Sequence, residues 1–147
     1  MKSASGATSG LKVVLANTYT LYLKTQNYHW NVVGPHFNGL HAFFEEQYKG
    51  LAEAVDEIAE RIRALGESAP GSFAEFTALK TIAEAKTQID AFAMIQDLIE
   101  SHELVCKNLR LISKQAQDEE DDVTQDLIIE RLAAHEKSLW MLRSHLG

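Results

Sequence analysis

With a single cysteine, Cys106, the chain cannot form an internal disulfide, and its lone thiol reads as a small buried apolar residue. Proline is confined to Pro35 and Pro70 and glycine to eight positions, so the punctuation that many short strands require is missing. Met1 to Gly10 is Ser, Ala, Gly and Thr with Lys2 as its only charge, and lacks the hydrophobic run of a signal peptide or a membrane span. Together with the lone cysteine this fits a reducing cytoplasm and no membrane partner. Basic residues are in deficit, 14 Lys and Arg against 21 Asp and Glu, for a formal charge of −7. Attraction to phosphate backbones depends on clustered Lys and Arg, so little or no direct DNA binding is expected.

What is abundant is Ala, Leu, Glu and Lys, which favour helix, and the expected fold class is all-α. A length of 147 residues suits one domain with one core, expected to span 1–147 with 1–10 as a mobile tail. From Leu11, apolar or small residues recur every three or four positions through Val14, Leu15, Thr18, Leu21, Tyr22, Thr25, Tyr28 and Val32, the period of an amphipathic helix that Gly34-Pro35 ends. A second helical pattern runs from Phe37 through Leu40, Phe44, Leu51, Val55, Ile58 and Ile62 to a cap at Gly66. A third, about Ile89 to Gln117, carries Phe92, Ile95, Leu98, Ile99, Val105, Leu109 and Ile112, with His102 on or near the stripe as a packed or hydrogen-bonded residue. A fourth runs through Leu146 with Asp122 or Thr124 as its N-cap. The connection from Glu67 to Gln88 is long enough for the second and third helices to run parallel, and a short helix is expected over Phe73 to Lys80.

One stretch, His29 to Glu60, concentrates side chains that a divalent metal of hard or borderline character takes as ligands. On a single helix His41 and Glu45 are i and i+4, as are Asp56 and Glu60, so each pair shares a face. Glu45 and Asp56 point within about 20° of one another but lie about 16 Å apart along the axis, too far for one ion to bridge. Both Glu45 with Asp56 and His41 with Glu60 are symmetric about a point between Gly50 and Leu51. An antiparallel two-fold pairing centred there would bring His41 and Glu45 of one chain against Glu60 and Asp56 of another, with Gly50 permitting close approach. His29, at the end of the preceding helix, can fold over as a further nitrogen ligand. The pattern predicts a metal site shared between subunits.

The same stretch resembles the Dps family of miniferritins, the DNA-binding proteins from starved cells. His29-Trp30-Asn31-Val32, Gly34, Phe37, Leu40-His41, Phe44-Glu45, Tyr48, Asp56 and Ala59-Glu60-Arg61 carry the resemblance, which extends along the chain in helix order and length. It implies a ferritin-like four-helix bundle with the short extra helix in the crossover between the second and third helices. It also implies a hollow dodecamer with a ferroxidase centre at the two-fold interface, whose ligands match His29, His41, Glu45, Asp56 and Glu60. Iron(II) would be oxidised there, preferentially by hydrogen peroxide, and stored inside the shell as iron(III) mineral, protecting the cell from oxidative damage. Zinc is a candidate competitor for the same ligands. Glu45 departs from the family pattern, where many members carry Asp.

By the same resemblance Asp121, Asp126 and Glu130 are candidates for an iron pore on a three-fold axis, and Glu46, Glu53 and Glu57 for mineral nucleation. Solvated helix charge is the alternative reading of both sets. Trp30 and Tyr48 are candidates for an electron relay, with packing as the alternative; Trp140 reads as interface or core. A di-iron centre inside one bundle is the rival enzyme reading, but it requires Glu-x-x-His pairs, and none of the six histidines has Glu three residues before it. The rival from another class is a structural DNA-compacting protein. Against it stand the single Lys2 of the opening segment and the absence of a basic run near His145-Leu146-Gly147.

Overall fold

The computed structural model describes residues 5–147, and these form five helices: α1 (Gly6–Asn31), α2 (Phe37–Ala64), α3 (Phe73–Leu79), α4 (Ala91–Asp118) and α5 (Asp122–Ser144). The fold is the expected all-α bundle with a short helix in the crossover. The expected mobile tail over 1–10 is corrected, because α1 begins at Gly6; residues 1–4 lie outside the described residues. Ser5 is the reason for the early start. Its hydroxyl accepts the Thr8 amide at 3.1 Å, satisfying one of the donors that a helix start leaves free. The Glu119 carboxylate accepts the neighbouring Ala7 amide at 3.2 Å.

Helix directions follow from the contacts. Down α1, Tyr28 meets Asp97, Lys24 meets Ser101 and Gly10 meets Ile112 of α4, so these helices are antiparallel. The same reasoning makes α1 and α2 antiparallel, from His29 with His41 and Lys12 with Glu67. Hence α2 and α4 run parallel, as the long crossover requires. α5 opposes α2, with Phe43 against His145 and Arg61 against Asp121. Gly10 makes the α1–α4 approach possible, since a Cβ there would sit 2.7 Å from Ile112 Cγ1. Gly66, at φ +90°, takes the left-handed conformation that ends α2, and the Glu67 amide returns to the Ile62 carbonyl at 3.2 Å.

The apolar stripes converge on one core that includes Leu11, Leu21, Phe44, Ile58, Leu98, Leu109, Ile128 and Leu142. Cys106 lies buried in it. One aromatic expectation changes, since Phe92 is 54% exposed near the start of α4; Trp140 is 64% exposed in the single chain, which leaves the interface as its reading. The cap of α5 also moves. Asp121 accepts the Thr124 amide at 3.1 Å, while Thr124 is fully buried inside the helix and Asp122 lies in its first turn.

Polar residues cross the core. Lys24, with its side chain fully buried, lies 3.0 Å from Asp97 Oδ2 and donates to Ser101 Oγ at 2.7 Å. Tyr28 donates to the same Asp97 oxygen at 2.6 Å and accepts the Lys86 amide at 3.0 Å, which ties the crossover to the bundle. Burial pushes the Tyr28 phenol above its ordinary range, and the hydrogen bond to Asp97 adds to the effect.

Asp97→Ala would strand the Lys24 ammonium in the core, at an expected cost of about 3–5 kcal/mol. Replacing both, Lys24→Met with Asp97→Leu, should recover most of that loss in thermal unfolding. At Asp121 burial raises the pKa, but the Thr124 hydroxyl and amide and the Arg61 guanidinium outweigh it and hold the carboxyl below its usual value. A depressed folded value means that the stabilisation is present above the unfolded pKa and is lost as pH falls through the folded one. Asp121→Ala should therefore lower stability by about 1 kcal/mol at neutral pH. The gap from the wild-type melting temperature should close in acid.

Candidate metal centre

His29 ends α1 and His41 begins the second turn of α2, and the tight turn between them folds one ring onto the other. The rings stack with centroids 3.8 Å apart and planes 14° apart. Each Nδ1 lies 2.7 Å from the backbone carbonyl oxygen of the other histidine. Since a carbonyl only accepts, both rings carry a proton on Nδ1, and in the neutral ring Nε2 presents its lone pair. This is the outer hydrogen bond that orients a metal-ligating imidazole, supplied twice and reciprocally. Phe37 stacks on His41 at 5.0 Å, and Tyr48 meets His29 edge-on at 5.2 Å.

One turn beyond His41, Glu45 brings Oε1 to 3.7 Å from His29 Nε2. A lone pair facing a carboxylate oxygen at that distance is favourable when a cation lies between them. The other Glu45 oxygen is held at 3.3 Å by Lys49, an exposed i,i+4 pair readable from the sequence but absent from the expectations above. Asp56 and Glu60 are exposed farther along α2. Among the described residues no group of three or more His, Cys, Asp or Glu is gathered within one chain to hold a metal. The chain thus presents a partial nitrogen and oxygen set at His29, His41 and Glu45 and a second, separate pair of carboxylates.

The remaining candidates are dispersed. Asp121 is committed within the chain: Arg61 donates to it at 2.9 Å and Thr124 Oγ1 lies at 2.5 Å, so its oxygens are not free for a passing cation. Asp126 and Glu130 are exposed at i,i+4 spacing on α5. Glu46, Glu53 and Glu57 are exposed on α2, with Glu46 and Gly50 lining a groove toward α5. Trp30 is 60% exposed at the end of α1, whereas Tyr48 is partly buried against Tyr22 and His29. The expected packed or hydrogen-bonded His102 is buried with its Nδ1 2.9 Å from His135 Nδ1.

Lys49 competes with a cation for Glu45. Lys49→Gln should tighten binding of zinc as a probe ion by up to about fivefold, the equivalent of about 1 kcal/mol for an exposed pair. Calorimetric titration of the metal-free protein measures it.

Known proteins share this arrangement of helices and its sequence. A family model for the ferritin-like domain matches residues 9–147. An uncharacterised low temperature-induced protein of Nostoc is 41% identical over 134 residues, covering 90% of this chain and 75% of the relative. DNA protection during starvation protein 2 of Bacillus anthracis is 36% identical over 133 residues, covering 90% of this chain and 91% of the relative. Among solved structures, the Dps protein of Vibrio cholerae O1 is described as a member of a broad superfamily of ferritin-like diiron-carboxylate proteins. It superposes with a TM-score of 0.92 at 33% identity, covering 96% of this chain and 89% of that one. Sequence and fold agree across nearly the whole length, and the chain belongs to the Dps miniferritins of the ferritin-like superfamily.

Proposed function

We propose that the chain is a ferroxidase that stores iron, with its oxidation site assembled between two copies. The kinship supports iron storage and DNA protection in general, and the diiron-carboxylate superfamily supports ferroxidase chemistry in general. The observation that carries the finer reading is the pair of opposed acceptors, His29 Nε2 and Glu45 Oε1, with both imidazole tautomers set by crossed backbone bonds. This half-site leaves room for further oxygen ligands. The exposed Asp56 and Glu60 of a two-fold partner have the complementary composition.

In this reading iron(II) is the substrate. Neutral imidazoles hold it while the carboxylates favour the harder iron(III) product. Hydrogen peroxide is the preferred oxidant: two iron(II) ions each give one electron, the O–O bond accepts both, and with two protons the products are two waters and two iron(III). No hydroxyl radical is released in a two-electron reduction. Trp30 and Tyr48 take up a stray electron vacancy in this reading, which the edge contact of Tyr48 with His29 supports for Tyr48. Iron(III) mineral accumulates inside a dodecameric shell in the cytoplasm, nucleated at Glu46, Glu53 and Glu57, and iron reaches it past Asp126 and Glu130. Zinc, which favours the same nitrogen and oxygen donors, competes for the centre. Protection of DNA then comes from removing iron and peroxide rather than from coating the duplex, in keeping with the formal charge of −7.

Complementation tests the shared site. One variant lacks His41 and Glu45, the other Asp56 and Glu60, each replaced by alanine, and each alone should lose fast peroxide-dependent iron(II) oxidation. Co-assembled from equal amounts, a two-fold site leaves one intact centre in each mixed dimer, so roughly a quarter of the sites should recover activity. No recovery in shells shown to be mixed would reject the shared centre.

A further inference from the structure

We infer that the buried pair of His102 and His135 is an acid-released latch between α4 and α5, which holds the two helices together while both rings are neutral and lets α5 part from α4 once they take up protons. Both residues lie in the interior, each 1% exposed. α5 packs mainly against α4, so this seam decides whether it stays in place. The other polar links across the seam, Arg110 with Glu136 and Arg143 with Glu103, are exposed ion pairs of a kind that contributes little.

The proton positions are set by what surrounds the rings. Arginine can only donate, so His135 Nε2, 3.4 Å from Arg131 Nη2, is the acceptor and His135 carries its proton on Nδ1. That proton is donated to His102 Nδ1, 2.9 Å away, which leaves the His102 proton on Nε2. His102 Nε2 is buried and makes no hydrogen bond among the described residues. In this state one neutral hydrogen bond joins the two rings across the seam.

Neither ring can take a second proton where it lies. On His102 the proton would go to Nδ1, setting two N–H groups head to head across 2.9 Å and destroying the bond between the helices. On His135 it would go to Nε2 and face the Arg131 guanidinium, donor against donor and cation against cation. Relief in both cases requires the rings to separate and reach water.

The neighbouring charges do not compensate for an added proton. Burial is the chief reason the rings stay neutral, pushing His102 down to about 3 and His135 well below its usual value. Cations add to the effect: Arg131 of α5 and Lys24 of α1 act on His102, and His102 and Arg131 act on His135. The carboxylates nearby answer other cations, since Asp97 of α4 lies 3.0 Å from Lys24, and Glu57 of α2 and Glu130 of α5 favour the charged form of Arg131. Glu46 and the neutral Gln47 of α2 line the groove beside His135, together with Lys137 of α5. A base whose folded pKa is depressed costs nothing above its unfolded value of about 6.5, and destabilises the folded form progressively as pH falls below it. The latch is closed at neutral pH and released in acid.

Cys106, the chain's one thiol, reports on the seam: it is buried one turn along α4 from His102 and lines the groove between the helices with Leu139 of α5. Its rate of labelling by a dithiodipyridine therefore follows how often the seam opens. The test compares the assembled, iron-free wild type with His102→Gln and with His102→Gln combined with His135→Gln, whose amides keep a hydrogen-bonding pair that does not titrate. Dividing each rate by that of the double variant at the same pH removes the pH dependence of the thiol, the reagent and the carboxylates elsewhere. Below about pH 6 the wild-type ratio should rise about 100-fold per pH unit, for two protons taken up, and the His102→Gln ratio about tenfold. Should the double variant fail to assemble, wild type divided by His102→Gln should still rise about tenfold per pH unit. A wild-type ratio that does not change with pH, or one that rises no faster than that of His102→Gln, would overturn the inference.

Discussion

The crossed hydrogen bonds between His29 and His41 govern the working end of the molecule. Each ring holds the other residue's backbone, so the turn from α1 to α2 and the orientation of both imidazoles are settled by the same two contacts. A donor bond from Nδ1 to a carbonyl does two things at once. It closes the helical hairpin, and it leaves Nε2 as the only ring atom able to meet a cation. Glu45 then falls opposite His29 because it is one turn past His41, with no further device required.

Away from that end, polar residues set how the helices fit. Lys24, Asp97 and Tyr28 form a buried cluster linking α1, α4 and the crossover, while His102, His135 and Arg131 extend polar character toward α5. The first cluster is closed, with its charge compensated and its donors accepted. In the second, His102 Nε2 and Arg131 Nε are buried without a hydrogen-bond partner among the described residues. A buried network left half satisfied is costly unless something completes it.

Much of the fold was legible in the sequence because helix period and punctuation carry it. Leu11 to Val32, Leu40 to Ile62 and Ile95 to Ile112 mark faces that do pack, and Pro35, Gly66 and Pro70 fall in the turns. Where the reading failed, a distant residue was responsible. The start of α1 looked like a tail because composition is blind to Ser5 acting as a cap with Glu119 beside it. Phe92 looked like core because its phase on the helix is right, yet it is exposed near the start of α4. Asp121 looked like a free pore carboxylate because nothing local announces Arg61. At the candidate centre, helix spacing placed His41 with Glu45 on one face, but could not show that backbone carbonyls would select both tautomers, nor that Lys49 would occupy the second carboxylate oxygen.

The contact of Glu119 with the Ala7 amide spans 112 positions of the chain. A carboxylate at a helix N-terminus answers the positive end of the macrodipole, and here it is delivered by the loop that closes the far hairpin. The first turn of α1 therefore has that stabilisation only when the end of α4 is docked against it, and relies on its Ser5 cap otherwise. That dependence makes fraying of the first turn a reporter of whether the end of α4 is in place.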